Sequence, residues 1–556
     1  MKIIMKQTTN NYCFWVLAAI FTAVYFYIIY RFSVNIPMDD DFPSLQNFLV
    51  RFIQAEHIQE KTLMLLEDAN SHRTLFMRVM VLLVYAVSGK LNYSVFIFII
   101  SLLLFGTGFL LYKMMHNGGD RKGLWAFLIV MLLFNGQNFG NSIVSQFGLS
   151  NIGSVFLAIL SIYLFLMKRR AAFIAGLLLS VITIYSNGNG MLIIPPVIAC
   201  LCLQKRIKEL ICFGIVSIPA ALLYFYGLDA SRMEGDIWSH FSVIFLNVFI
   251  FIGNNVWIPS FMFASIFVGV ACSAIYLWGI FNKIYRQNLF CYACLTFLFL
   301  TAIAVAVGNG PVLGGESTTP WRYRIYGSLF LILTAFLLVN NAKGFYLKKV
   351  IYIFPVLALF FSLFSTAYCY RKGERRLEQK KVSAYRWVNE GKRLGTCYPR
   401  VEPELIVGLK KAEQMGLYKM PQYPLSEYKS DVHFSKDKNR QFWPEGILYA
   451  IENLEEREGL LLIEGWAYLQ PESMLMESED IYLYLINGEN QLVCRPYFER
   501  RFEIIDDTRK ADCGFFAVID KTEIPVGTYR IEIGIKSRFK LNRPVFYITT
   551  DQKLSI

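Results

Sequence analysis

From Asn11 to Tyr370 long apolar runs alternate with short polar loops; from Arg371 onward charges are frequent and apolar runs are short. A helix that crosses a bilayer needs about 20 consecutive apolar residues. The runs at residues 12–30, 94–112, 124–134, 155–167, 171–185, 191–203, 210–226, 257–281, 289–307, 327–339 and 350–367 therefore predict roughly eleven spans, the shorter ones borrowing polar flanks. The run at 79–87 predicts a short or re-entrant helix that starts and ends on the same side. Residues 46–68 predict one or two helices lying on the membrane surface, with Phe48, Phe52, Ile53, Leu63, Leu65 and Leu66 as the apolar positions. Residues 12–30 are followed by no small-residue cleavage site, so they read as an uncleaved first span.

Past Tyr370 the periodicity changes. Residues 374–387 and 403–415 predict helices. Short strand-like runs follow at 459–464, 481–485, 515–519, 528–535 and 545–549, separated by turn signals such as Asn487-Gly488 and Pro525-Val526-Gly527. The expected architecture is an α-helical polytopic membrane bundle with juxtamembrane helices, followed by a soluble, mostly β sandwich. Its parts are residues 1–370, with a long first loop at 32–77, then a partly helical linker at 371–440 and a β module at 441–556.

Charge adds a direction. Hydrophobic residues make up 55% of the chain and charged residues 17%, against about 25% charged in soluble domains. The net charge of +13 follows positive-inside topology rather than nucleic-acid binding. Lys2 and Lys6, Lys113/Arg121/Lys122, Lys168/Arg169/Arg170, Lys205/Arg206/Lys208, Lys283/Arg286 and Lys343/Lys348/Lys349 belong on the cytoplasmic side. The remaining loops face outward, and so does the region after the last span. Those outer loops hold nearly every polar residue with chemical potential.

The first begins with Asp39-Asp40-Asp41. Three adjacent carboxylates cannot all ionise cheaply, so they share a proton or a divalent cation, or they form a solvated turn that caps the next helix. Next comes His72-Arg73, with Arg78 five residues on. Guanidinium next to a bilayer either recognises phosphate bidentately or snorkels to headgroups. The same two readings apply to Arg322-Tyr323-Arg324 at the entry of a late span. Asn138 and Asn141 in the 135–141 stretch, and Asn187 and Asn189 in Ser186-Asn187-Gly188-Asn189-Gly190, suit sugar hydroxyls or tight turns. Cys200 and Cys202 are too close together for a metal site. Cys494 and Cys513 are either a disulfide or two free thiols. Trp466, in Glu464-Gly465-Trp466-Ala467, packs in the sandwich core or stacks on a sugar.

Taken in order, Asp40-Asp41-Phe42, Asn70-Ser71-His72-Arg73 with Arg78, residues 137–141, residues 186–190 and Arg322-Tyr323 resemble the bacterial polytopic GT-C-type glycosyltransferases over residues 12–370. Ser71 stands where relatives carry an acidic residue before His-Arg. The resemblance implies a multi-pass protein of the bacterial cytoplasmic membrane, its C-terminal module extracytoplasmic. The implied partners are a polyprenyl-phosphate-linked sugar donor, a glycan or lipid-linked acceptor and membrane lipids, with no nucleic acid and no obligatory cofactor. The implied roles are Asp40, Asp41 or Asp39 as catalytic base, His72, Arg73, Arg78, Arg322, Tyr323 and Arg324 on the donor phosphate, and Asn138, Asn141, Asn187 and Asn189 on the sugar. Glu464–Ala467 resembles a β module appended to surface-glycosylation proteins. A transporter or flippase would place ionisable residues at mid-depth in the spans, where the sequence has almost none. A polymerase or ligase of lipid-linked saccharides shares the same topology and substrates.

Overall fold

A computed structural model describes residues 2–69, 72–115, 122–226, 240–256, 262–308, 321–341, 345–391, 394, 396, 402–435, 440–469, 479–488, 490–499, 501, 513–537 and 545–556. The chain divides into two compact units, Met1–Ser33 with Pro43–Arg371, and Val34–Phe42 with Lys372–Ile556.

The first unit is helical. In chain order it contains α1 (Lys2–Phe32), α2 (Phe48–Gln54), α3 (Ile58–Leu66), the strand pair β1 (Asp68–Ala69) and β2 (His72–Arg73), α4 (Leu75–Ser88), α5 (Tyr93–Met115), α6 (Lys122–Leu133), α7 (Gly136–Ser142), α8 (Ser145–Leu166), α9 (Arg170–Ile184), α10 (Ile194–Leu203), α11 (Ile207–Phe225), α12 (Phe241–Ile252), α13 (Met262–Phe281), α14 (Leu289–Gly308), α15 (Arg324–Asn341) and the first part of α16 (Phe345–Glu390). Among the described residues eight helices are long and apolar enough to cross a membrane, in α1, α5, α8, α11, α13, α14, α15 and α16, and five apolar helices are shorter.

Local chemistry sets the boundaries. Gly89 ends α4 in the left-handed region at φ 68°, and its N–H donates to the Tyr85 carbonyl. Asn135 caps α7, its side chain accepting from the Gln137 N–H. Pro195-Pro196 open α10, where a missing N–H costs nothing. The helix at 241–252 was absent from the expected spans; its run of apolar residues is only one short helix long. It packs closely on α13, where a Cβ at Gly269 would lie 1.9 Å from the Phe249 carbonyl oxygen, the small-residue approach that bilayer helices use.

The second unit is a β-sandwich fronted by helix. α16 runs unbroken past the last apolar stretch to Glu390, so the helix expected at 374–387 is its continuation. α17 (Glu402–Gln414) matches the second expected helix. Ten strands follow: β3 (Val432–Phe434), β4 (Arg440–Phe442), β5 (Ile447–Arg457), β6 (Leu460–Leu469), β7 (Glu479–Asn487), β8 (Asn490–Cys494), β9 (Tyr497–Glu499), β10 (Gly514–Asp520), β11 (Thr528–Ser537) and β12 (Val545–Ser555). One sheet has the order β5-β6-β10-β9 and the other β3-β8-β7-β11-β12-β4. Glu458 and Gly459, both at positive φ, turn β5 into β6, and Gly488 does the same after β7.

Alternation along the strands separates two cores. Leu461, Ile463, Phe515 and Ala517 of the first sheet meet Leu483, Leu485, Ile531 and Ile533 of the second. On the opposite face Leu460, Leu462, Phe516 and Val518 are covered by Val382 and Tyr385 of α16 and by Tyr428. That seam holds a charge cluster. The buried Arg386 guanidinium pairs with Glu464 at 2.8 Å, Glu499 at 3.2 Å and Glu390 at 2.6 Å. Burial pushes the Glu464 carboxyl up, and Arg386 opposes that shift.

Candidate functional site

In the first unit the sequence motifs converge on the first turns of α8. Phe147, Ser150, Asn151 and Ser154 fall at i, i+3, i+4 and i+7, one face of the helix. Together they meet the turn at 186–190, the residues just before α15 and the first turn of α15. The Arg322 guanidinium lies over the Phe147 ring at 5.4 Å. Asn187 Nδ2 donates to the Ser150 carbonyl at 3.3 Å. Tyr326 OH donates to Asn151 Oδ1 at 3.4 Å. Ser154 Oγ donates to Asn189 Oδ1 at 3.2 Å, and Asn189 Nδ2 in turn donates to Tyr326 OH at 3.0 Å and Thr301 Oγ1 at 3.4 Å. Sequence reasoning missed Ser150, Asn151 and Ser154, although their helical spacing inside an apolar run was the available signal.

The 186–190 turn also meets the first loop. Leu75 N–H donates to the Tyr185 carbonyl at 2.9 Å. The His72 ring lies against Gly188, so close that a Cβ there would sit 2.8 Å from Nδ1. Asn70 and Ser71 lie outside the described residues.

The four arginines differ in what they hold. Arg73 donates to the backbone carbonyls of Leu66, Tyr224 and Tyr226, and its guanidinium lies 5.9 Å from the Tyr185 and Tyr224 rings. The buried Arg78 donates from Nη1 to the carbonyls of Met64 and Glu67, and its Nε is buried without a hydrogen-bond partner. Both brace the loop that carries His72. Arg324, the first residue of α15, donates to Gln137 Oε1, and its Nε is buried without a hydrogen-bond partner. Arg322 is half-buried between Phe147 and Tyr323, 5.1 Å from the latter ring. Its Nε is buried and unpaired.

These two arginines sit where the N-termini of α8 and α15 approach each other, and helix N-termini favour anions. Other unsatisfied groups share the place: Ser145 Oγ, at the start of α8, and Asn138 Oδ1 are buried without a partner. Asn138 Nδ2 itself donates to the Leu133 carbonyl at 3.0 Å and to Ser328 Oγ at 3.1 Å. Asn141 lies on α7, but its side chain is outside the described residues.

The aspartate cluster belongs to the second unit. Asp39 has φ 49°, a left-handed conformation that a non-glycine residue adopts at some cost. Its N–H donates to the Thr396 carbonyl at 2.8 Å, and Thr396 Oγ1 lies 3.5 Å from Ser383 Oγ on α16. Tyr418 OH ties the same segment by donating to the Asn35 carbonyl at 2.8 Å. Asp41 is buried, and its Oδ2 accepts from the Met38 N–H at 3.1 Å. Asp39 and Asp40 are half-buried. Lys380, one helical turn before Ser383, is buried and feels the Asp41 and Asp39 carboxylates. Nothing in the sequence links Lys380 to residues before Phe42. Among the described residues no group of three or more His, Cys, Asp or Glu side chains is arranged to hold a metal ion.

Elsewhere in this unit Trp466 and Tyr468 are half-buried and stack at 5.8 Å. Cys494 and Cys513 are buried free thiols, the former pushed up to about 12 by burial. No known protein family, curated protein or solved structure matches the chain.

Proposed function

We propose that the chain is a GT-C-type membrane glycosyltransferase, moving a sugar from a polyprenyl-phosphate donor to a surface glycan or lipid-linked acceptor on the extracytoplasmic face. The topology that goes with this reading has about eleven spans: the eight long helices plus α6, α9 and α10 with the 3-10 turn Gly190–Ile193 that leads into it. In it α4 and α12 do not cross, and the loops bearing His72, Asn187 and Arg322 face outward, as does the C-terminal unit.

The observation that carries the proposal is the pair Arg322 and Arg324. Two guanidiniums with buried, unpaired Nε atoms stand at helix N-termini, among unsatisfied Ser145 Oγ and Asn138 Oδ1. A phosphate supplies the acceptors those donors lack, and Arg offers it a bidentate fork. Arg73 acts in this scheme as a brace, because backbone carbonyls take its Nε and both Nη groups; Arg78 braces the same loop through Nη1, although its Nε is also buried without a hydrogen-bond partner.

In the reaction the acceptor hydroxyl attacks the anomeric carbon as the bond to the phosphate oxygen breaks. Asp40 takes the hydroxyl proton; it is half-buried, whereas Asp41 is buried and caps its own turn. The lipid phosphate leaves carrying the bonding pair, and Arg322 and Arg324 stabilise its growing charge. The proposal is tested by reconstituting the full chain in liposomes with radiolabelled polyprenyl-phosphate hexoses and pentoses. Release of polyprenyl phosphate together with a labelled glycan supports it, and intact donor throughout the panel overturns it.

A further inference from the structure

A groove of about 290 Å³ runs along the first unit between α1, α7 and α16. Its walls are largely hydrocarbon and aromatic: Phe21 and Tyr25 from α1, Phe134 just before α7 and Phe139 within it, and Leu363 and Tyr370 from α16. α1 and α16 are lipid-facing spans, with only 22% and 28% of their apolar windows buried. Val24 and Leu363 at the rim are 43% and 49% exposed, so the groove opens sideways to whatever surrounds the helices.

Inside a bilayer such a recess does not stay empty. Water gains nothing there, and wall atoms with nothing opposite them lose dispersion contacts. A hydrocarbon chain restores both.

One end of the groove is charged. Tyr370 lines it, and the exposed Arg31 guanidinium lies over the Tyr370 ring at 5.4 Å and the Phe32 ring at 5.9 Å. Phe32 bridges Tyr370 and Phe139 at 5.2 and 5.3 Å, so the cation stands directly at the end of the aromatic wall. Arg31 is also at the opposite end of α1 from Lys2 and Lys6. An apolar trough with the exposed Arg31 cation at one end is complementary to an amphiphile with an anionic head.

From this we infer that the α1–α7–α16 groove is a binding site for an anionic bilayer phospholipid, one acyl chain lying along it and the phosphate on Arg31. The site stands whether or not the chain transfers sugars. The open side and the exposed cation fit a lipid that exchanges with the bilayer. Both main walls are helices from which the chain passes into the second unit, α1 just before Val34–Phe42 and α16 just before Lys372.

The test is native mass spectrometry of the full chain released from nanodiscs of mixed phosphatidylcholine and phosphatidylglycerol. Wild-type protein is expected to keep one phosphatidylglycerol. Ala367→Trp and Leu363→Trp, which fill the groove from its exposed rim, should lose it while eluting as a single folded species. Arg31→Gln should keep a lipid but lower the preference for phosphatidylglycerol roughly fivefold. Retention in both tryptophan variants, absence of any lipid preference in the wild type, or a retained mass matching a prenyl phosphate each overturns the assignment.

Discussion

Asn189→Ala separates a structural amide from a sugar-binding one. The Asn189 side chain is buried and fully engaged: it accepts from Ser154 at 3.2 Å and donates to Tyr326 at 3.0 Å and to Thr301 at 3.4 Å. Truncation leaves the fully buried Ser154 hydroxyl without this acceptor and takes the shorter of two hydrogen bonds from the Tyr326 hydroxyl. Interhelical hydrogen bonds in bilayers average about 0.6 kcal/mol and reach about 1.7. The two shorter bonds together thus predict a loss of roughly 1–3 kcal/mol, the third adding little. Unfolding in mixed micelles, titrated with sodium dodecyl sulfate, measures it. A cycle with Tyr326→Phe should give a coupling of about 0.6–1.7 kcal/mol. Zero coupling with unchanged stability, or a selective fall in donor affinity, would refute the structural assignment and return Asn189 to the sugar.

Three further substitutions probe the second unit. Asp40→Asn should abolish transfer with expression intact, whereas Asp41→Asn should cost stability, because Asp41 Oδ2 caps its own turn at 3.1 Å; transfer at wild-type rate in Asp40→Asn removes it as the base. Arg386→Met strands Glu464 and Glu499, whose side chains are only 6% and 5% exposed, and should destabilise the unit by about 3–5 kcal/mol in pulse proteolysis. Converting both glutamates to Gln in that background should recover much of the loss, and an Arg386→Met variant as resistant as wild type contradicts the burial argument.

Much of the helical unit was legible because bilayer helices need long uniform runs, as at 94–112, and α17 was legible from its composition alone. Four of the five expected strands lie within observed ones, and the fifth, 459–464, starts one residue early, on the turn glycine before β6. Yet β5 was missed, since Glu452, Glu455, Glu456 and Arg457 dilute its apolar alternation. α12 was missed for the opposite reason, being apolar but too short to read as a span. The continuous α16 hides a change of environment within one helix that composition reads as a boundary. The site was legible as motifs but not as roles. Arg73 and Arg322 look alike in sequence, and only the carbonyls of Tyr224 and Tyr226, distant along the chain, make Arg73 a brace. The grouping of Val34–Phe42 with residues after Lys372, and of Lys380 with Asp39 and Asp41, depends on contacts across more than three hundred residues that no local pattern encodes.

The central claim is that Arg322 serves a leaving phosphate, and the direct measurement is turnover against donor affinity for Arg322→Lys and Arg322→Ala. An arginine that acts on developing charge contributes more in the transition state than in the ground state, so turnover should fall further than affinity. Lysine should restore only part of it, since a point charge lacks the bidentate fork. Unchanged turnover in both variants would contradict the account and leave Arg322 as an aromatic-packed membrane anchor.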